Sequence, residues 1–189
     1  DKFVTISTED AYLFCEKLAK SHYENLPVGS ILIPKSIRHH FYSIYAFSRL
    51  ADDIADENLT TSSDERYELL QTLESSLEYK LDNVTTPILR AVINTCKETK
   101  VDINDLNRLI VAFKMDVRFE HPKNWDELYN YCYYSANPIG EMLLKLFDEA
   151  TEENIKLSDD VWTALQLVNV WQDISRDNEN GRFYIPLDL

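Results

Sequence analysis

Residues 44–56, IYAFSRLADDIAD, combine the apolar spacing of a buried helix with three carboxylates near its end. The apolar residues continue a pattern with spacings of three, four and seven that runs through residues 35–57 and is typical of an amphipathic helix. On such a helix Asp52 and Asp56 are four residues apart and lie on one face, where two like charges repel each other. This first acidic pair therefore needs a compensating positive charge.

Helical periodicity recurs along nearly the whole chain of 189 residues, which contains only 3 glycines and 6 prolines. Helix starts are indicated by Ser7 with Asp10, Ser62 with Glu65, Pro87 after Thr86, and Ser158. Pro138 is expected to kink or break one helix near Asn137, and Gly181 to end the last one. The predicted helices span residues 8–24, 35–57, 62–81, 87–99, 104–120, 125–148 and 159–178. A short segment at residues 183–185 could be extended but is too short to form a sheet, so the prediction is a single all-α domain over residues 1–189.

Composition excludes several classes of protein. A net charge of −14 argues against nucleic-acid binding, which requires basic patches. The odd number of cysteines, 3, without a CxxC spacing, indicates free thiols in a reducing compartment.

No signal peptide or window of 18 apolar residues is found, so a cytoplasmic location is expected. The first residue is not Met and the chain stops abruptly at PLDL, which suggests a trimmed fragment.

A second acidic pair, Asp173 and Asp177, repeats the spacing of the first near the end of the last predicted helix. Asn169 lies one turn earlier on the same face. Acids at a helix C-terminus also oppose the helix dipole. On an exposed surface such a pair costs a few tenths of a kcal/mol, roughly, and the cost grows if the two pairs face each other across a cavity.

Two interpretations of the acidic pairs stay open from spacing alone. A single pair of this kind is usually part of a solvated acidic surface. Two pairs, each accompanied by an arginine (Arg49 and Arg182), also match the oxygen ligands that Mg²⁺ prefers when it shares its coordination sphere with a diphosphate. Ca²⁺ fits less well, because no loop has the pattern of an EF-hand.

Tyrosines and histidines are less informative. Four tyrosines lie close together in the sequence and could be core residues or could stabilise a cationic intermediate: Tyr129, Tyr131, Tyr133 and Tyr134. The histidines show no metal-ligand spacing, and the adjacent His39 and His40 are predicted to point to different helix faces.

Three stretches together resemble the squalene and phytoene synthase family: IYAFSRLADDIAD, YCYYSANPIG, and residues 165–186, LQLVNVWQDISRDNENGRFYIP. The resemblance extends over residues 22–186. It implies an isoprenoid-synthase type of helical bundle around a central cavity, with Mg²⁺ bound by two Asp-rich motifs and prenyl diphosphates as substrates. Family members continue for several more helices, so C-terminal helices are expected to be missing here.

The resemblance also implies roles for individual residues. The implied metal ligands are Asp52, Asp56, Asn169, Asp173 and Asp177, with the four acids also catalytic. Tyr131 is implied as a further catalytic residue. The substrate-binding residues that it implies are His22, Asn25, Tyr45, Arg49, Asp53, Asp116, Gln166, Arg182 and Tyr184. Asn137 is predicted to hold the reacting water, because it is a polar residue at the break forced by Pro138.

Within the family, ENLPVGS at residues 24–30, SANP and WQD resemble the hydroxysqualene synthase branch of the bacterial hopanoid pathway. That branch releases diphosphate from presqualene diphosphate and lets water capture the cation. The chain departs from the common family pattern at residues 22–25, HYEN in place of His-Ser-x-Ser, and at Gln172, where relatives commonly have Arg. Loss of this Arg fits a site that handles one diphosphate-bearing substrate.

Alternative functions remain. The chain could be a squalene, presqualene diphosphate or phytoene synthase that condenses two prenyl diphosphates. It could also be a non-catalytic helical domain that binds metal or a partner protein. Peripheral contact with a membrane, where an oily product must go, is left open.

Overall fold

The computed structural model describes residues 6–21, 33–56, 61–179 and 181–188. Regular structure in these ranges is helical, which confirms the all-α prediction. The α-helices are α1 (Thr8–Ser21), α2 (Arg38–Ala55), α3 (Ser63–Ser76), α4 (Pro87–Glu98), α5 (Ile103–Val117), α6 (Trp125–Ser135), α7 (Asn137–Leu146), α8 (Glu152–Gln172) and α9 (Ile174–Glu179). A 3₁₀ turn, Leu81–Asn83, precedes α4.

Local start signals place several helices where the sequence predicts them. Ser62 and Glu65 form a capping box in which each side chain bonds to the other residue's backbone N–H. Pro87 is in the first turn of α4, where its missing N–H costs nothing. Helix α5 begins one residue before the predicted start, because Asp102 accepts hydrogen bonds from the N–H groups of Asn104 and Asp105.

The predicted break at Pro138 is confirmed. Helix α6 ends at Ser135 and α7 begins at Asn137, with Pro138 in its first turn. Gly140 then lets α7 approach α8 closely, because a Cβ at this position would lie 2.2 Å from Cδ1 of Trp162 and 2.3 Å from Oγ of Ser158.

The predicted bounds of the last long helix are wrong at both ends. Thr151 is the N-cap of α8, since its side chain accepts the N–H of Asn154, and Ser158 lies inside the helix facing Gly140. At the other end, α8 stops at Gln172 with Asp173 as its C-cap. Asp177 therefore belongs to the separate short helix α9.

The core consists of three clusters. The largest joins α2 to α5 around fully buried residues such as Phe47, Leu70 and Leu106. A second packs α1 against α2 and α4. The third joins α5, α6, α8 and the C-terminal segment, and its buried members include Tyr131 and Tyr184. This third cluster positions most of the candidate site.

One face of α8 carries large apolar side chains that are exposed: Leu157, Val161, Leu165, Val168 and Trp171. Their spacings of four and three place them on one stripe of the helix. Among the described residues, no helix combines the length and the apolar character needed to cross a membrane.

Candidate active site

The first acidic pair lies at the C-terminal end of α2 and receives part of its compensating charge from the same helix. The guanidinium of Arg49 lies 3.1 Å from Oδ2 of Asp52 and 2.7 Å from Oδ1 of Asp53. Both carboxylate side chains are about half exposed. Burial and the neighbouring acids Asp53 and Asp56 raise the pKa of Asp52, whereas Arg49 lowers it. The local cation therefore does not fully offset the cost of placing a negative charge here.

A buried arginine holds the end of this helix. Asp56 is the C-cap residue, and its N–H donates to the carbonyl of Asp52 at 2.9 Å. Arg66 from α3 donates to the carbonyl oxygen of Ala55 at 2.7 Å and so satisfies one of the unpaired carbonyls at the helix end. No residue spacing connects Arg66 to Ala55, so this contact could not be recognised from the sequence.

A backbone hydrogen bond still connects the two members of the second acidic pair, although the helix breaks between them. The N–H of Asp177 donates to the carbonyl of Asp173 at 2.8 Å, and the N–H of Arg182 donates to the carbonyl of Asp177 at 2.8 Å. The chain turns towards Arg182 at Gly181, whose φ of 74° lies in the left-handed region that glycine adopts easily. The second acidic pair and Arg182 therefore form one continuous segment.

Arg182 connects this segment to the first acidic pair. Its positive charge lowers the pKa of Asp52 on α2 and also that of Asp116 on α5. Asp52 in turn raises the pKa of Asp116. Since such interactions fall off with distance, Asp52, Asp116 and Arg182 lie within electrostatic range of one another.

Asp116 and two tyrosines form a buried group. The hydroxyl of Tyr184 donates to Oδ1 of Asp116 at 2.6 Å, and that of Tyr131 donates to Oδ2 at 3.2 Å. The two tyrosine rings lie 5.0 Å apart. Burial raises the pKa of Asp116 to about 6, although the hydrogen bond from Tyr184, the charge of Arg182 and the hydrogen bond from Tyr131 act in the opposite direction. Burial also raises the pKa of both tyrosines.

The segment after Gly181 reaches Asp116 because it docks on the loop that follows α5. Nε2 of His121 donates to the carbonyl of Ile185 at 2.7 Å, and the N–H of Leu187 donates to the carbonyl of Pro122 at 3.1 Å. The rings of His121 and Phe183 pack edge to face, 5.2 Å apart. These contacts place the neighbouring Tyr184 against Asp116.

A cavity of about 580 Å³ opens beside this group. Asp116, Tyr131 and Tyr184 form part of its wall. The wall also contains the basic residues Lys114, Arg118 and Lys123. The volume lies within the usual range for small-molecule sites.

The remaining predicted site residues are more dispersed. Tyr45 lies on α2 near the first acidic pair, where burial raises its pKa and Arg49 lowers it. Asn137 is buried, and its Oδ1 accepts a hydrogen bond of 3.1 Å from Thr163 on α8. Gln166 is partly buried and Asn169 is exposed, both on α8. His22 and Asn25 lie outside the described residues.

The structure separates the four clustered tyrosines. Tyr131 is buried, whereas Tyr129 and Tyr133 are largely exposed. Tyr133 stacks under the guanidinium of Arg108, 4.0 Å from the ring centroid, and Tyr134 packs against Tyr133. Of the four, only Tyr131 contacts Asp116 through a hydrogen bond described here.

The prediction that His39 and His40 point to different helix faces is wrong. Their ring centroids lie 3.9 Å apart, because both rings turn towards Tyr12 on α1. Sequence spacing gives the direction of a Cα–Cβ bond but not the rotamer that carries the ring.

Comparisons with known proteins identify the family. The model of the squalene/phytoene synthase family matches residues 19–189. A hydroxysqualene synthase of Zymomonas mobilis subsp. mobilis is 36% identical over 88% of this chain and 56% of its own length. A phytoene synthase of Mycobacterium bovis is 28% identical over 95% of this chain and 59% of its own. The chain thus spans little more than half the length of these curated relatives.

A solved structure agrees with these matches. The crystal structure of squalene synthase HpnC from Alicyclobacillus acidocaldarius has a TM-score of 0.86 and 37% identity, covering 97% of this chain and 69% of that one. The chain belongs to the squalene/phytoene synthase family, and its fold is the helical fold of that family.

Proposed function

We propose that this protein catalyses Mg²⁺-dependent release of diphosphate from presqualene diphosphate, with capture of the resulting cation by water to give hydroxysqualene. The similarity to a hydroxysqualene synthase supports this reaction. The observation that carries the proposal is the first acidic pair at the end of α2, where Arg49 lies 3.1 Å from Asp52 and 2.7 Å from Asp53. The charge of Arg182 also acts on Asp52.

The proposed magnesium ligands are the two acidic pairs together with Asn169: Asp52, Asp56, Asn169, Asp173 and Asp177. This donor set fits the ion, because all of its ligand atoms are hard oxygens. The raised pKa of Asp52 supports the fit, since a cation near this carboxylate would relieve the cost that Arg49 leaves uncompensated. Bound magnesium would neutralise the charge that develops on the leaving diphosphate.

Arg49 and Arg182 are the proposed contacts of the diphosphate. Arg49 already bridges Asp52 and Asp53, so its guanidinium is oriented before the substrate arrives. Preplaced charges of this kind stabilise a developing anion without reorganisation. Tyr45 and Asp53 would complete the contacts on the side of the first acidic pair, and Gln166 would line the cavity.

Tyr131 and Tyr184 are proposed to shield the carbocation. Their ring centroids lie 5.0 Å apart, with the planes tilted by 39°, in a buried cluster, and each hydroxyl donates a hydrogen bond to Asp116. Aromatic faces stabilise nearby positive charge, and a dry wall delays capture by water. Asn137 is proposed to hold the reacting water, with its amide orientation fixed by the hydrogen bond from Thr163.

A second candidate is the condensation of two prenyl diphosphates, as in a phytoene or squalene synthase. The similarity to a phytoene synthase favours it. Gln172 favours the first candidate, because a neutral residue next to Asp173 supplies no charge for a second diphosphate.

Product analysis separates these candidates. The protein is incubated with Mg²⁺ and either presqualene diphosphate or farnesyl diphosphate, and the products are identified by mass. Hydroxysqualene from presqualene diphosphate supports the proposal, whereas a C30 product that joins two farnesyl groups, formed from farnesyl diphosphate, supports the second candidate. Absence of diphosphate release from both substrates would leave a non-catalytic domain.

Matched variants test the ligands. Asp52→Asn and Asp173→Asn should each abolish diphosphate release while the far-UV circular dichroism stays helical. Asp64→Asn is the control, because Asp64 is an exposed carboxylate near the start of α3 and its ion pair with Arg118 is long, at 3.4 Å. Full activity in either Asp52→Asn or Asp173→Asn would reject the assignment.

A further inference from the structure

A second group of potential metal ligands lies at the opposite end of α2 from the first acidic pair. His39 and His40 are in the first turn of α2, and Glu98 is the last residue of α4. One ligand atom from each residue lies within 4.8 Å of the other two. His40 and Asp52 are twelve residues apart on α2, about 18 Å along the helix axis, so this group is separate from the acidic pairs.

A buried hydrogen-bond network sets the tautomer of His40. The hydroxyl of Ser43 donates to the carbonyl of His40 at 2.7 Å, so the 2.8 Å bond between Ser43 and Thr95 uses the hydrogen of Thr95. The 3.0 Å contact between Thr95 and His40 is then donated by Nδ1 of His40, which also lies 3.2 Å from the hydroxyl of Tyr12. The hydroxyl of Tyr12 accepts from Asn94 at 3.1 Å and donates to Thr95 at 3.1 Å. This network is fully satisfied when His40 carries its hydrogen on Nδ1, which leaves a lone pair on Nε2.

This lone pair faces a carboxylate. Nε2 of His40 lies 3.9 Å from Oε2 of Glu98, which is beyond hydrogen-bond distance. Two electron-rich groups that face each other are compatible when a cation lies between them.

We propose that His39, His40 and Glu98 form a binding site for a first-row transition-metal ion, with Zn²⁺ as the expected occupant and a fourth coordination position open to solvent. Two imidazoles and one carboxylate are a common zinc donor set, whereas Mg²⁺ prefers oxygen ligands alone. Neutral imidazoles are the form that binds metal, and both rings are at least partly buried.

The surroundings of the group suit a metal site. Thr95 and Tyr12 contact Nδ1 of His40, as hydrogen-bond partners on the far side of a ligating histidine commonly do. A surface cleft lined by Tyr12, His39 and Glu98 gives an ion access from solvent. An ion bound here would link α2 to α4 and stabilise the folded state, since the unfolded chain does not bring these residues together.

The test is a calorimetric titration of the protein with ZnCl₂ in buffer that contains excess Mg²⁺, so that the acidic pairs compete poorly for zinc. We expect one tight zinc site in the wild type. His39→Ala and Glu98→Gln should each weaken it by about 100-fold or more, since each removes a ligand, and Thr95→Val by roughly 10-fold to 100-fold. Replacement of zinc by Co²⁺ should give visible absorption bands that His39→Ala abolishes.

Two controls match these changes. His121→Ala removes a histidine outside the group, and Glu78→Gln removes an exposed carboxylate at a different surface cleft. Both should bind zinc as the wild type does, and circular dichroism checks that every variant is folded. The proposal is overturned if the wild type shows no tight zinc site, if His39→Ala and Glu98→Gln retain it, or if only Asp52→Asn loses it.

Discussion

The hydroxyl of Tyr184 donates a 2.6 Å hydrogen bond to Oδ1 of Asp116, which lies 68 residues earlier in the chain. Tyr131 donates to the other carboxylate oxygen of Asp116. One buried carboxylate therefore fastens the C-terminal segment to α5 and α6. Because Arg182 precedes Tyr184 by two residues, the same contact fixes the place from which Arg182 acts on both Asp52 and Asp116.

Tyr184→Phe should raise the pKa of Asp116 above its wild-type value of about 6, because the lost hydrogen bond favours the ionised carboxylate. The free energy of unfolding should fall by about 1–3 kcal/mol at neutral pH, as expected when a buried acceptor loses its donor. Carboxyl ¹³C NMR measures the pKa, and urea unfolding measures the stability. Tyr79→Phe, at an exposed tyrosine, is the control and should change neither.

Arg182→Met should also raise the pKa of Asp116, whereas Asp52→Asn should lower it. The reason is that Arg182 favours the charged carboxylate and Asp52 opposes it. The same NMR titration measures both shifts. If neither substitution moved the pKa, Asp52, Asp116 and Arg182 would not lie within electrostatic range of one another.

Asp116 should make stability depend on pH in a defined direction. The pKa of Asp116 rises from 3.8 to about 6 on folding, so the folded state binds the proton more tightly than the unfolded state does. This difference adds to the free energy of unfolding, and the added stability is fully present below pH 3.8. That contribution is lost as the pH rises towards 6, and a shift of this size corresponds to about 3 kcal/mol at most.

The Asp116→Asn variant should therefore not lose this stability as the pH rises. Urea unfolding of the wild type and of Asp116→Asn is measured between pH 4 and pH 7.5, a range of about two units around the pKa. The difference between their free energies of unfolding is then plotted against pH. Asp64→Asn, which changes an exposed carboxylate, should leave the wild-type slope intact. A difference that does not vary with pH would contradict the assignment.

Gly140→Ala should destabilise the protein by about 1–3 kcal/mol, the usual cost of inserting a methyl group into a packed contact. The added Cβ would meet the rigid indole of Trp162 at 2.2 Å. Thermal or urea unfolding measures the loss. The double variant Gly140→Ala/Trp162→Leu should lose less than the two single variants together, and simple additivity would argue against this contact as the cause.

Arg66→Met should loosen the end of α2. It removes the hydrogen bond to the carbonyl of Ala55, and the buried carbonyl then lacks this partner. Hydrogen exchange at the N–H of Asp56 should become faster, since this N–H closes the last turn on Asp52. Arg118→Met, at a largely exposed arginine, is the control and should leave this exchange rate unchanged.

Local signals in the sequence predicted much of the fold. The capping box at Ser62 and the break at Pro138 depend on residues within one turn, so they could be recognised without tertiary information. Thr151 and Ser158 are both residue types that can cap the N-terminus of α8. Which of them does so depends on α7, where Gly140 leaves room for the side chains of Ser158 and Trp162. That choice could not be made from sequence.

The candidate site was predicted less completely than the fold. The acidic pairs follow from spacing, and the family resemblance indicated Asp116, Tyr131 and Tyr184 as pocket residues. Their mutual hydrogen bonds depend on the docking of the C-terminal segment at His121 and Pro122, a contact between distant parts of the chain. The pairing of His39 with His40 and Glu98 depends on side-chain rotamers and on the packing of α2 against α4.

The most direct test of the central claim is a calorimetric titration of inorganic diphosphate in the presence of Mg²⁺, using wild type, Asp52→Asn, Asp173→Asn and the double variant. If the two acidic pairs hold one magnesium–diphosphate cluster, binding requires Mg²⁺, each single variant loses most of the affinity, and the double variant loses little more. Independent, additive losses, or diphosphate binding that needs no Mg²⁺, would contradict the account.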